Sequence, residues 1–183
     1  MRTKVMAIML LAACQFMLAA CFHEDMPPAP VERVQVGDPL PAMELLMNDS
    51  TWVTTESLRG RWVVLVLFSV KCGDCRRALP EVQRFYDRQF LNDSTAVLAV
   101  SRAEGDSLVA PFWHELSLTF PYSAQTDDHI YRLFADRIVP RIYIANPQGF
   151  VEHTFDDAHM PSAELLLDAI KSRIASNYSA ITI

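Results

Sequence analysis

Nine consecutive residues, WVVLVLFSV from Trp62 to Val70, are apolar apart from one serine and rich in β-branched side chains. The run is too short to span a bilayer. It also lacks the alternation of a strand with one wet face, so it describes a strand buried on both faces of a sheet. Such a strand needs helices on either side, which places the chain among α/β layer architectures. Directly after it comes KCGDC, with Cys72 and Cys75 three positions apart. Leu79, Val82, Phe85 and Tyr86 then recur at helical spacing as far as about Phe90.

The remaining pattern is consistent with that class. AMELLM and TWVTT flank NDS as an opening hairpin. AVLAVS (Ala96 to Ser101) reads as the next strand, DSLVAPFWHEL as a helix interrupted near Pro111, and HIYRLFA as a short helix. RIYIA and FVEHTF form two strands joined by NPQG, with Pro and Gly where a type I turn favours them. Ala163, Leu166, Ile170 and Ile174 make the apolar stripe of a closing helix, and Pro80 is expected to kink the helix after the cysteines. The 183 residues suffice for one domain with a real core.

The N-terminus is set apart from this fold. Arg2 and Lys4 precede an apolar run from Val5 to Ala20, the pattern of a secretory signal. LAAC (Leu18 to Cys21) resembles the bacterial lipobox, which implies cleavage before Cys21 and lipid on its sulfur; the LAAC ending at Cys14 would leave too short an apolar core. The alternative is an uncleaved membrane anchor, and either puts the domain outside the cytoplasm. Residues 22–36 hold Pro27, Pro28 and Pro30 and no apolar periodicity, as an extended tether would. The expected organisation is a signal over 1–20, lipidated cysteine and tether over 21–36, the domain over 37–176 and a tail over 177–183. Taking Arg2 and Lys4 from the 16 basic residues leaves 14 against 22 acidic ones, about −8, which argues against nucleic-acid binding.

With Cys14 removed and Cys21 lipidated, Cys72 and Cys75 are the only free thiols of the exported domain. As a staple the pair is poor, because closing so short a loop constrains the unfolded chain least. As a metal site it lacks a second pair, and the five histidines show no ligand spacing, so no metal is assigned. As a redox couple it has what the chemistry needs. A helix N-terminus favours a thiolate on Cys72, which attacks a partner's disulfide; Cys75, one turn along, then attacks the Cys72 sulfur and releases the partner.

The stretch VVLVLFSVKCGDCRRALPEV resembles the active-site strand and helix of thioredoxin-like proteins, down to a proline five positions after the second cysteine. DDHIYRLFADRIVPRIYIANPQGFV is similar to the later part of that fold, and VGDPLPAMEL with TTESLRGRWVVLVLF to the N-terminal hairpin of its TlpA/ResA-like branch, whose members are membrane-tethered thiol–disulfide oxidoreductases. The resemblance covers roughly Gly37 to Ile174. It implies a thioredoxin fold with a central mixed sheet flanked by helices and an N-terminal β-hairpin extension. It also implies Cys72 as nucleophile, Cys75 as resolving thiol, Pro140 in cis beside them, and the Val139 backbone as a short edge for an extended substrate peptide.

The chain departs from the family at informative places. Lys71 stands where many members have tryptophan, and Asp74 inside the motif opposes a thiolate that Lys71 favours. The positions of two familiar carboxylates, six before the first cysteine and three after the second, hold Val66 and Ala78. Another acid such as Glu81, or water, is left to take the Cys75 proton, or else turnover is slow. The expected activity is disulfide exchange with partner proteins, in the reducing direction, with an unidentified envelope electron donor and no cofactor. The expected place is a bacterial cell envelope, with Phe22 after the lipidated cysteine implying the outer membrane, facing periplasm or cell surface. Two alternatives are a peroxiredoxin-like thiol peroxidase, whose pattern would require proline at Leu65, and a non-enzymatic thioredoxin-fold binding module with idle cysteines.

Overall fold

The apolar run forms the middle strand of the principal sheet. The computed structural model describes residues 31–89 and 94–181. In chain order its elements are β1 (Glu44–Leu46), β2 (Trp52–Thr54), a single 3-10 turn at Glu56–Leu58, β3 (Trp62–Phe68), α1 (Gly73–Gln89), β4 (Thr95–Ser101), α2 (Asp106–Glu115), β5 (Tyr122–Ser123), α3 (His129–Arg132), β6 (Arg141–Ala145), β7 (Val151–Phe155) and α4 (Ala163–Ile181). The five-stranded sheet has the order β5-β4-β3-β6-β7. β3, β4 and β5 run parallel, while β6 is antiparallel to β3 and β7 to β6. β1 and β2 pair separately, Leu46 opposite Trp52, as the N-terminal hairpin.

Every residue of β3 is buried, and its period of two divides the side chains between two cores. Trp62, Val64, Val66 and Phe68 enter one with Leu79, Phe85, Phe112 and Leu166 from the helices. Val63, Leu65 and Leu67 enter the other with Val34, Leu45, Ile130 and Phe134. A fully buried side chain of this size contributes about 1.5–3 kcal/mol, so β3 holds both layers together.

Three features differ from the sequence reading. α2 continues through Pro111 instead of breaking there. Phe112 and Trp113 are buried against Phe68, with ring centroids 6.1 and 5.0 Å apart, and this packing outweighs the missing backbone hydrogen bond. Residues 31–36, placed in the tether, are docked: Val31 N–H donates to Asp136, Arg33 N–H to the Phe134 carbonyl at 2.9 Å, and Val34 is buried. The backbone of α4 runs on to Ile181, past the expected tail boundary at 177. The signal peptide and Cys21 lie outside the described residues.

Candidate active site

Four residues, Ser69 to Cys72, carry the chain from the end of β3 to the start of α1. The Cys72 N–H donates to the Ser69 carbonyl at 3.2 Å, a turn that sets the cysteine at the mouth of the helix. There its sulfur accepts the Cys75 N–H at 3.3 Å, so a free backbone donor of the first turn already points at Cys72. Both cysteines are free thiols. Cys72 is partly exposed, whereas Cys75 is wholly buried. Burial pushes the Cys75 thiol far up; the Ser69 backbone acts in the opposite sense, and Cys72 and Asp74 add to the rise. The two sulfurs therefore have different tasks: one meets the partner, and the other loses its proton only inside the protein.

The other wall of the site comes from the far side of β3. Val139-Pro140 is a cis peptide just before β6, and the Cys72 sulfur lies 3.1 Å from the Val139 carbonyl oxygen. Cys72, Cys75, Val139 and Pro140 are thus brought to one edge of the sheet, at the end of its middle strand. Ile138 has φ 75°, a region costly for a β-branched residue. The Tyr131 hydroxyl holds it by donating to the Ile138 carbonyl at 2.8 Å. Arg141, buried next to Pro140, donates to the Arg137 carbonyl at 3.1 Å and pairs with Glu32 from the docked N-terminal segment. The Arg102 guanidinium lies over the Tyr131 ring, 4.3 Å from its centroid.

The charges weighed at sequence level separate here. Asp74 is engaged by Arg77 along α1, while Lys71 is exposed and makes no ion pair among the described residues. Val66 and Ala78 are buried, and neither supplies a carboxylate. Glu81 is occupied elsewhere: one oxygen accepts the Ala163 N–H at 3.0 Å and the other pairs with Arg84, so it caps the start of α4. The acid that does meet the cysteine loop is Glu104, just beyond β4. It is buried, and it accepts from the Ser69 hydroxyl at 2.6 Å and the Val70 N–H at 3.0 Å. The sequence reading missed it. One pointer was available, since residues just past the carboxyl ends of parallel strands line the crevice of an open α/β sheet. Among the described residues no cluster of three or more metal-ligating side chains occurs.

The thioredoxin domain of a thiol-disulfide oxidoreductase from Bacteroides vulgatus matches this structure with a TM-score of 0.62, covering 76% of this chain and 97% of that one at 16% identity. That likeness shows the fold. Thiol-disulfide oxidoreductase ResA of Oceanobacillus iheyensis is 25% identical over 161 residues, covering 86% of this chain and 80% of its own. Thiol-disulfide oxidoreductase YkuV of Bacillus subtilis is 29% identical over 121 residues, covering 61% and 80%. By class, then, this is a thioredoxin-like thiol–disulfide oxidoreductase of the ResA type. The chain belongs to the AhpC/TSA family, whose model matches residues 36–154.

Proposed function

We propose that the chain is an exported, lipid-anchored enzyme that exchanges disulfides with partner proteins through Cys72 and Cys75, in the reducing direction. One observation carries the reading: a partly exposed Cys72 sulfur receives the first-turn N–H of α1, with a buried second thiol one turn behind it. The Cys72 thiolate attacks a partner disulfide, one partner sulfur leaves with the electron pair, and a mixed disulfide remains. Cys75 then attacks the Cys72 sulfur, the Cys72–partner bond breaks, and the partner departs reduced while the protein holds a Cys72–Cys75 disulfide. The Val139 main chain beside Cys72 offers an extended peptide a short edge to pair with. The couple carries the electrons itself, so no cofactor is called for, but a donor in the envelope must restore the thiols. Lipid on Cys21 and a tether from there to the docked segment at Val31 would keep the domain at the membrane, at the outer membrane by the Phe22 analogy.

Replacing Cys75 by serine tests the exchange. Mixed disulfides with client proteins should accumulate on Cys72, and their absence while Cys72 still reacts with small disulfides would sink protein exchange. Direction is read from the potential of the pair against thiol buffers: about −270 mV accords with a reductase, and about −120 mV would make it a disulfide donor. The peroxidase alternative would need proline at residue 65. Leu65 is buried in β3 between Leu98 and Tyr143, where proline would remove a ladder hydrogen bond.

A further inference from the structure

Three consecutive carbonyls between α3 and β6 are each held by a side chain anchored in the body of the fold. The Arg102 guanidinium donates to the Asp136 carbonyl at 3.3 Å, that of Arg141 to the Arg137 carbonyl at 3.1 Å, and the Tyr131 hydroxyl to the Ile138 carbonyl at 2.8 Å. The next carbonyl in the chain is that of Val139, and it lies 3.1 Å from the Cys72 sulfur. A loop ordinarily leaves such groups to water. Here the hold runs up to the residue beside the reactive thiol.

Each holder is itself fixed. Arg102 follows β4, where its N–H donates to the Phe68 carbonyl at 2.8 Å, and its guanidinium lies over the Tyr131 ring, 4.3 Å from the centroid. Tyr131 and Arg141 are buried, and Glu32 of the docked N-terminal segment pairs with Arg141. Ile138 shows why the loop has to be held. At φ 75° a β-branched residue is in a conformation that it leaves unless its surroundings keep it there. Burying a hydroxyl and a guanidinium is costlier than filling the same space with Phe or Leu, so the two polar side chains are explained by what they hold and not by packing alone.

Resting on the exchange reading above, we propose that Tyr131 and Arg141 are positioning residues for the client: by holding the Ile138 and Arg137 carbonyls they keep the Val139 main chain as a preformed edge beside Cys72, and so favour extended peptide disulfides over small ones. Neither side chain is placed on the reacting sulfurs, and neither alters which bonds form or break. What they supply is order. An edge already in its bound conformation does not have to be ordered when a peptide pairs with it, and that saving appears as affinity. A small disulfide has no main chain to pair and gains nothing from the hold.

The reduced protein is mixed by stopped flow with dithiobis-nitrobenzoate or with the disulfide-linked dimer of a short extended peptide, and the ratio of the two second-order rate constants, peptide over small disulfide, is read. Tyr131→Phe keeps the ring under Arg102 and removes only the hydroxyl. Its ratio should fall about tenfold, the size of one net hydrogen bond. Arg141→Lys keeps a charge for Glu32 but lacks the fork that also reaches the Arg137 carbonyl, and should lower the ratio likewise. Methylating the peptide nitrogens that flank its cysteine removes the N–H groups that pair with the edge. That should lower the wild-type ratio as well, and lower that of Tyr131→Phe little further, because both changes remove the same contact. Unchanged ratios would overturn the proposal. So would peptide and small-disulfide rates that fall together, which would make the two residues structural only, or losses from methylation and Tyr131→Phe that simply add. Should Arg141→Lys not fold, Tyr131→Phe and the methylated peptide carry the test. Failure of the exchange reading shows earlier and differently, as wild type that reacts with dithiobis-nitrobenzoate and with no peptide disulfide, and it takes this proposal down with it.

Discussion

One helical turn separates Cys72 from Cys75, yet their surroundings assign them opposite work. Cys72 meets solvent and the Val139 carbonyl, whereas Cys75 is wholly buried with its thiol pushed far up by that burial. Iodoacetamide at neutral pH should therefore label the native reduced protein once, on Cys72, and twice in denaturant; equal labelling of both thiols in the native state would contradict the burial. Glu81 offers a contrasting case at the same scale. With its oxygens on the Ala163 N–H and Arg84, it is a helix cap. Glu81→Ala should cost about 1 kcal/mol in urea unfolding and leave the rate at which Cys75 resolves a mixed disulfide unchanged. A slowed resolution step would give the proton role to Glu81. What separates Glu81 from Glu104, which holds the cysteine loop, is which backbone donors their oxygens meet, and only the fold settles that.

At the scale of elements, β3 was legible because burial on both faces leaves an unbroken apolar run, and the β1–β2 hairpin because its turn residues sit between two short strands. β5 was not: two residues paired with Ala99 and Val100 are too few for a period to show. α2 shows the limit of local rules. Pro111 is exposed in its interior, and the helix persists because Phe112 and Trp113 are anchored in the core on the other side. Pro111→Ala should then restore a backbone hydrogen bond at a site already helical and stabilise the domain by about 1–3 kcal/mol. A higher urea midpoint with an unchanged slope checks this; no gain would mean that the carbonyl freed by Pro111 is already satisfied.

The whole molecule is closed by its N-terminal segment. A fragment starting at Gly37 loses Val34 from the core and Glu32 from buried Arg141, and should be less stable than one starting at Val31 by at least about 2 kcal/mol. Equal midpoints would restore the tether boundary at residue 36. Stability should also fall at both ends of the pH range. Asp136, held down by the Val31 N–H, Asp128 by Arg132 and Glu115 by Arg76 all lie below their ordinary range, so the folded chain binds fewer protons than the unfolded one. Their contribution is present above about pH 4 and is lost as pH falls through and below it. Tyr122 and Tyr143, pushed up to about 12 chiefly by burial, act in the opposite sense: the folded chain keeps protons that the unfolded one loses, so stability drops as pH rises beyond about 10. Urea midpoints across pH check both limbs, and a flat profile would refute them. The sequence by itself determined the layered α/β class and the paired thiols, because burial on two faces and cysteine spacing are local patterns that survive in one dimension. Only the tertiary structure decided that Glu104 meets the cysteine loop and that residues 31–36 belong to the domain, whereas Val139 beside Cys72 was implied by the family resemblance and by no local pattern. Each of those contacts joins segments far apart in the chain, and no local period records which strand ends the folded sheet brings together.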